Sequence, residues 1–223
     1  MTHDHPVQLE VRSPAHFDRV QLVLRLVLVI LLAWVGLSTG WLGIAFYLLL
    51  PAAAAIAVSS EGRDVYRQDF APQLWRVLRW VFELSAYMML LTDRFPTADG
   101  ELVHADIRIT GQPTIGSALG RLVTSIPSAL VLGVLGIGST ILTVIAVIVV
   151  LAAAPMPGWI LAYQRGVLRW QARLAAYHAS LVDEYPPFAL ETVGTEVGSA
   201  RALREASPRS EGTARSGRPH GAA

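Results

Sequence analysis

The side chains of this chain that could do chemistry are two aspartates, six histidines and two files of arginine. Asp93 and Asp183 sit at matching places in two related stretches. Facing each other across a symmetry axis, they could handle a proton or a cation. The plainer reading is that each caps backbone amides of its own proline-containing turn. Asp183-Glu184 alone lacks the convergent ligands that a metal or acid–base site needs. The histidines (His3, His5, His16, His104, His178 and His220) show no ligand spacing such as His-x3-His. Only His178 lies in a repeated motif, and Met88 fills the matching place, so a surface or interfacial side chain is expected.

Arg76, Arg79, Glu83 and Tyr87 recur at three- and four-residue spacing and share one stripe of a helix. Arg165, Arg169, Arg173 and Tyr177 form a second stripe. With Trp80 and Trp170, these arginines are candidates for contact with anionic lipid headgroups, each contributing about 1 kcal/mol. The bland alternative is snorkelling without lipid preference. Glu83 and Arg173 occupy equivalent positions with opposite charge, which makes them a candidate pair between the two stretches. A Gly-rich phosphate loop, a Gly-x-Ser-x-Gly elbow and a His-Glu-x-x-His helix are all absent. Cysteine is absent too, which excludes disulfides and thiol catalysis. No catalytic residue, cofactor or metal is therefore assigned, and no enzyme activity is expected.

The elements that must position these residues come in duplicate. Residues 73–96 and 163–186 align without a gap at an offset of 90, with ten identities in 24 positions. Among them are Arg79/Arg169, Trp80/Trp170, Ala86/Ala176, Tyr87/Tyr177, Asp93/Asp183 and Pro96/Pro186. Tyr87, Asp93, Pro96, Tyr177, Asp183, Tyr185 and Pro186 are read as structural residues of this repeat.

The surroundings of the two stretches are apolar. Of 223 residues, 53% are hydrophobic and 16% charged, against about 25% charged in ordinary soluble domains. The deficit falls in two tracts, 20–59 and 119–156, each long enough for two crossings of a bilayer core about 30 Å thick. Ser38-Thr39-Gly40 and Gly136-Ile137-Gly138 mark the expected hairpin turns. Arg25 and Arg121, near the tract starts, are expected to snorkel to the headgroups. Pro51 is expected to kink the second span. Before the tracts, Pro6–Val11 and Asp106–Thr110 alternate as short strands at an offset of 98. After them, residues 73–92 and 159–182 read as amphipathic helices at the membrane interface. Residues 60–72 form a charged connector. The tail from Glu191 lacks apolar residues and is expected to be disordered.

The fold class expected is an all-α integral membrane protein of two tandem repeats with four transmembrane helices. Each repeat is a short β-strand, a transmembrane hairpin and an interfacial helix, with boundaries at 1–98 and 99–190 and a tail at 191–223. The hairpin turns carry no charge and the arginines cluster opposite. Both termini are therefore expected on the cytoplasmic side of a bacterial inner membrane, with the repeats related by an axis along the membrane normal.

The order strand, apolar hairpin, then Arg-Trp, Ala-Tyr and Asp-x-[Phe/Tyr]-Pro resembles DUF4389, a family of bacterial membrane proteins of unknown function. Arg169-Trp170, Ala176-Tyr177 and Asp183–Phe188 carry the likeness, and Arg79-Trp80, Ala86-Tyr87 and Asp93–Pro96 repeat it. It spans roughly residues 5–190, and the first copy departs where Thr97-Ala98 replaces Pro-Phe. The resemblance implies an architecture and carries no activity. The function expected is a non-catalytic scaffold or accessory subunit contacting anionic lipids, a membrane-protein partner or a second copy. The alternative is a component of a small-solute or proton-coupled transporter or channel. A net charge of +1 gives no ground for nucleic-acid binding.

Overall fold

The computed structural model describes residues 6–11, 13–14, 17–34, 39–96, 103–152, 155–187 and 190. Residues 191–223, and with them the expected tail, lie outside this set.

Strand β1 (Val7–Val11) buries Val7, Leu9 and Val11 and exposes Gln8 and Glu10, as its alternating sequence requires. It pairs antiparallel with β2 (Val103–Ile107), in a register that sets Val7 opposite Ile107 and Gln8 opposite Asp106. The second strand thus lies three residues earlier than its alternating pattern, 106–110, suggests. Arg108 still donates its N–H to Pro6 O at 3.1 Å, and residues 109–114 then leave the ladder and run past the end of the last helix. There Gly111 donates its N–H to Leu181 O at 3.0 Å.

Among the described residues, seven α-helices follow from the apolar tracts, the charged connector and the two related stretches. Helices α1 (Arg19–Trp34) and α2 (Thr39–Glu61) come from the first tract, with Pro51 inside α2. Of the expected turn Ser38-Thr39-Gly40, Thr39 and Gly40 open α2 and Ser38 lies outside the described residues. The charged connector is helical: a single turn, α3 (Arg63–Val65), opens at Gly62 with φ 88° and leads into a π-helical turn over 66–70. That turn continues into α4 (Ala71–Met88), whose Pro72 sits in the first turn, where a missing N–H costs nothing.

The second tract departs from expectation. Helix α5 (Ile115–Thr124) is capped by a reciprocal Thr114–Ser117 box, and α6 (Ile126–Leu151) begins after one residue, with Pro127 in its first turn. Helix α6 runs unbroken through Gly136-Ile137-Gly138, so the expected hairpin turn does not exist. Glycine is tolerated in apolar helices when a neighbour packs close. Here a Cβ on Gly138 would lie 2.6 Å from the hydroxyl of Tyr163, which donates to Leu135 O at 2.9 Å. At 26 residues α6 is about 39 Å long, enough to cross a bilayer core. Among the described residues it is the one helix long and apolar enough to do so; the described part of α2, Tyr47–Glu61, is a shorter apolar helix.

Helix α7 (Gly158–His178) turns back along α6 and is locked to it by Gln164. That amide donates to Ser139 O at 3.0 Å and to Thr143 Oγ1 at 2.9 Å, and accepts from the Ser139 hydroxyl. The main core gathers β1, the end of α2, Tyr66, α4 and α7. Neither repeated helix is therefore a plain surface helix. On α4 the polar stripe runs inward, from exposed Arg76 to fully buried Glu83 and Tyr87. On α7 it ends at buried Arg173.

Packing between the halves is reciprocal. β1 lies against α7 and β2 against α4; α2 packs on α5 and α1 on α6; α4 packs on α7.

The closest backbone approach is at Gly111, where a Cβ would lie 2.1 Å from Ser180 O. Gly111→Ala should cost about 3 kcal/mol, since overpacking against backbone cannot be relieved by a rotamer. Gly116→Ala, where a Cβ meets open space, should be neutral or stabilise by about 0.5 kcal/mol. Unfolding midpoints in detergent would measure both.

Candidate functional site

Helices α4 and α7 end in the same way. Leu91 N–H bonds Ala86 O at 2.9 Å and Leu90 N–H bonds Tyr87 O at 3.2 Å, while Leu181 N–H bonds Ala176 O at 2.9 Å and Ser180 N–H bonds Tyr177 O at 3.0 Å. These are the two bonds of a Schellman cap. Its left-handed position normally takes glycine, but here it holds Leu90 (φ 54°) and Ser180 (φ 57°). Leu90 is buried in a cluster with Leu22, Ala146, Val150 and Ile160, and that burial offsets a strain of about 1–2 kcal/mol.

Each cap turns the chain so that its next carbonyl and aspartate face an arginine from an apolar tract. Arg121 Nη1 donates to Tyr177 O at 2.6 Å and Val182 O at 2.5 Å, and Nη2 donates to Asp183 Oδ1 at 2.5 Å. Its guanidinium lies 4.5 Å from the centroid of the Tyr177 ring. In the first half, Arg25 Nη2 donates to Thr92 O at 2.5 Å and Asp93 Oδ1 at 3.1 Å, and the group lies 4.3 Å from the Tyr87 ring centroid. The second carboxylate oxygen is used the same way in both: Asp93 Oδ2 accepts Asp18 N–H at 2.8 Å, and Asp183 Oδ2 accepts Gln112 N–H at 3.0 Å.

Two expectations are corrected by this geometry. Arg25 and Arg121 do not snorkel: they are 4% and 6% exposed and held inside. A buried guanidinium is costly unless a carboxylate and carbonyls replace its water. Arg121 receives both, whereas Arg25 is bonded through Nη2 alone and its Nε and Nη1 have no hydrogen-bond partner among the described residues. Asp93 and Asp183 do cap backbone amides, but those of the segments leading into α1 and α5, more than seventy residues away, and not of their own turns. The signal was in the sequence. Arg25 and Arg121 stand 96 apart and Asp93 and Asp183 stand 90 apart, one unlike-charged pair per copy.

His178 is a third correction. It is 3% exposed, its ring lies edge-on to Tyr47 at 4.6 Å, and neither ring nitrogen has a hydrogen-bond partner among the described residues. Burial first, and then nearby Arg121, push its imidazole down to about 4. Around it, Tyr47 OH donates to Leu122 O at 2.5 Å and takes a bond from Ser125 Oγ at 3.2 Å. Tyr66, whose hydroxyl burial pushes up to about 12, donates to Ala179 O.

The arginines of the two stripes fare differently. Arg165 Nη2 donates to Ser13 Oγ at 3.0 Å and Arg169 Nε to Leu9 O at 2.9 Å, tying the N-terminal strand to α7. Trp170 is 4% exposed, whereas Trp80 is 45% exposed beside exposed Arg76 and Val77. Arg79 is half-buried. Glu83 and Arg173 are both buried, on the helices α4 and α7 that pack together. Tyr185 OH accepts from Ser128 Oγ at 2.6 Å, and Pro96 and Pro186 are buried. Among the described residues no three of His, Asp and Glu converge as metal ligands.

Two predictions follow from the clamps and from His178. Arg121→Met should cost about 3 kcal/mol, because three hydrogen bonds lose their donor at once. Asp183→Asn, at a half-exposed carboxylate, should cost only about 1 kcal/mol; denaturant unfolding ranks the two. The unfolded imidazole of His178 takes up a proton near 6.5 and the folded one near 4, so the unfolded state binds more protons between these values. Stability should therefore fall as pH drops through that window, by about 2 kcal/mol at pH 5. His178→Met should flatten the slope of melting temperature between pH 7 and 5.

Searches of curated proteins and of solved structures return no match. A family model does match, over residues 116–189, the stretch that holds Arg121, Tyr177, Asp183 and Tyr185. The family whose model matches residues 116–189 is described as a domain of unknown function, DUF4389.

Proposed function

We propose that this protein is a non-catalytic scaffold or accessory subunit of the bacterial cytoplasmic membrane. It is built from two tandem copies of one unit and works at the cytoplasmic face. The observation that carries this reading is the bare apolar surface of α6: Leu130, Val134, Ile137, Ile141, Val144 and Ile148 are all exposed. A run of that size is far beyond what a soluble monomer leaves to water. On α1, Val20, Val23, Leu24, Leu26 and Val27 are exposed as well. In this reading the first tract supplies further crossings, and both termini lie with the arginines on the cytoplasmic side.

Two copies are supported by the matching clamps and the matching non-glycine caps. A scaffold is supported by how the buried charged groups of those clamps serve the fold. Arg121, Asp93 and Asp183 are taken up in positioning the chain, and Arg25 joins them through Nη2, its Nε and Nη1 having no hydrogen-bond partner among the described residues. The runner-up, a transporter or channel component, draws on Ser125, Ser128 and Ser139, which line buried positions of α5–α6. Their hydroxyls bond Arg121 O, Tyr185 OH and Gln164 Oε1, so a polar path would have to break the packing first.

Lipid contact in this reading falls mainly to α4, where Arg76, Val77 and Trp80 are exposed together and Arg79 is half-buried. The α7 residues Arg165, Arg169, Trp170 and Arg173 contribute to it through the fold. In nanodiscs with a mixed anionic and zwitterionic bilayer, native mass spectrometry should find anionic lipids retained. Arg76→Gln should lower that retention about fivefold, the equivalent of ~1 kcal/mol per basic residue. Equal retention of both lipid classes by the unmodified protein would count against the headgroup role. A stoichiometric protein recovered with it in mild detergent would identify the assembly it serves.

A further inference from the structure

We propose that the strand and repeated helix of each half form a self-recognition surface, and that its partner is the unlike half of the same chain. This rests on the tandem-unit reading and adds which half binds which, and why.

The ladder carries the first argument. The alternating patterns align at an offset of 98, which makes Asp106 the equivalent of Gln8, and these two are directly opposite in the register. Val7 faces Ile107, the equivalent of Leu9, and Leu9 faces Ala105, the equivalent of Val7. Val7–Ile107 and Leu9–Ala105 are thus mirror images of each other, and Gln8–Asp106 mirrors itself. That is the signature of an isologous contact, where residue i meets j and j meets i. The second argument is that arms are exchanged: β1 lies on α7 and β2 on α4, α2 packs on α5 and α1 on α6. Each half gives its strand to the other and receives one back. Arg169, held on Leu9 O, is one of the bonds that fix a strand on the opposite half.

A surface that recognises itself would pair like halves from two chains as readily as unlike halves in one. The buried charges favour the unlike pairing. Glu83 and Arg173 occupy equivalent positions on α4 and α7, the two helices that pack on each other between the halves. Two first halves would bring Glu83 toward Glu83, and two second halves Arg173 toward Arg173, both inside a core where like charges are costly. Unlike halves bring opposite charges, and a single chain supplies one of each.

The chain has no native cysteine, so Gln8→Cys with Asp106→Cys gives one engineered pair at opposed positions. Oxidised in nanodiscs and run without reductant, the double variant should give a compact monomer with no covalent dimer. A ladder of covalent dimers would overturn the proposal, because the partner would then be a second chain. No disulfide of either kind would show that the strands do not pair and would overturn the proposal, leaving the tandem units, which rest on the matching clamps and caps, in place. The charge argument is tested separately, by folded yield and melting temperature. Glu83→Arg should lose most folded material, and Glu83→Arg with Arg173→Glu should recover at least half of it. Additive loss in the double variant, with the intrachain disulfide still forming, would overturn charge selection while leaving the tandem units standing.

Discussion

A guanidinium inside a mostly apolar protein must be given back what water supplied, and much of this fold answers that constraint. Arg121 needs two carbonyls and a carboxylate at one point, and a straight helix cannot offer them. The α7 cap provides them by reversing the chain at Ser180, so that Tyr177 O, Val182 O and Asp183 converge on one side. The same carboxylate then holds the segment that leads into α5. Such a pair adds little net stability over an apolar packing of equal volume. Its effect is to permit one arrangement of three chain segments and to penalise the others.

The first half repeats the device with looser bonding. Arg25 uses one terminal nitrogen for both of its bonds, where Arg121 uses two nitrogens for three. It is the second half whose residues match the family model. The second half also holds buried polar groups without equivalents in the first: His178 stands where Met88 does, and Gln164 where Leu74 does. Two stretches alike in sequence at an offset of 90 thus differ in what they bury.

The first strand and the helices over 73–88 and 159–178 were legible in the sequence because their signals are local: alternation, helical spacing, and a proline after each cap; the second strand was read three residues late. What was not legible depends on partners far along the chain. Gly136-Ile137-Gly138 reads as a turn until Tyr163 is seen lying against Gly138 inside a continuous helix. The inward course of the α4 stripe, from Arg76 to Glu83 and Tyr87, follows from its packing on α7, and a helical wheel cannot distinguish a stripe facing water from one facing a charged interior. Arg25 and Arg121 looked like snorkelling residues because each was considered without the aspartate it meets more than sixty residues later. His178 looked exposed for the same reason.

The exchange of strands has a consequence for synthesis. Leu9 leaves the ribosome well before Arg169, which holds its carbonyl and follows 160 positions later. Its ladder partner Ala105 is almost a hundred residues away. Contacts so distant in sequence form slowly, and the first half cannot close over its own strand in the meantime. Strand β1, made before both of its partners, is therefore among the later parts to find its place. Until α7 is complete, the newborn chain carries the apolar side of β1, Val7, Leu9 and Val11, without the helix that will cover it.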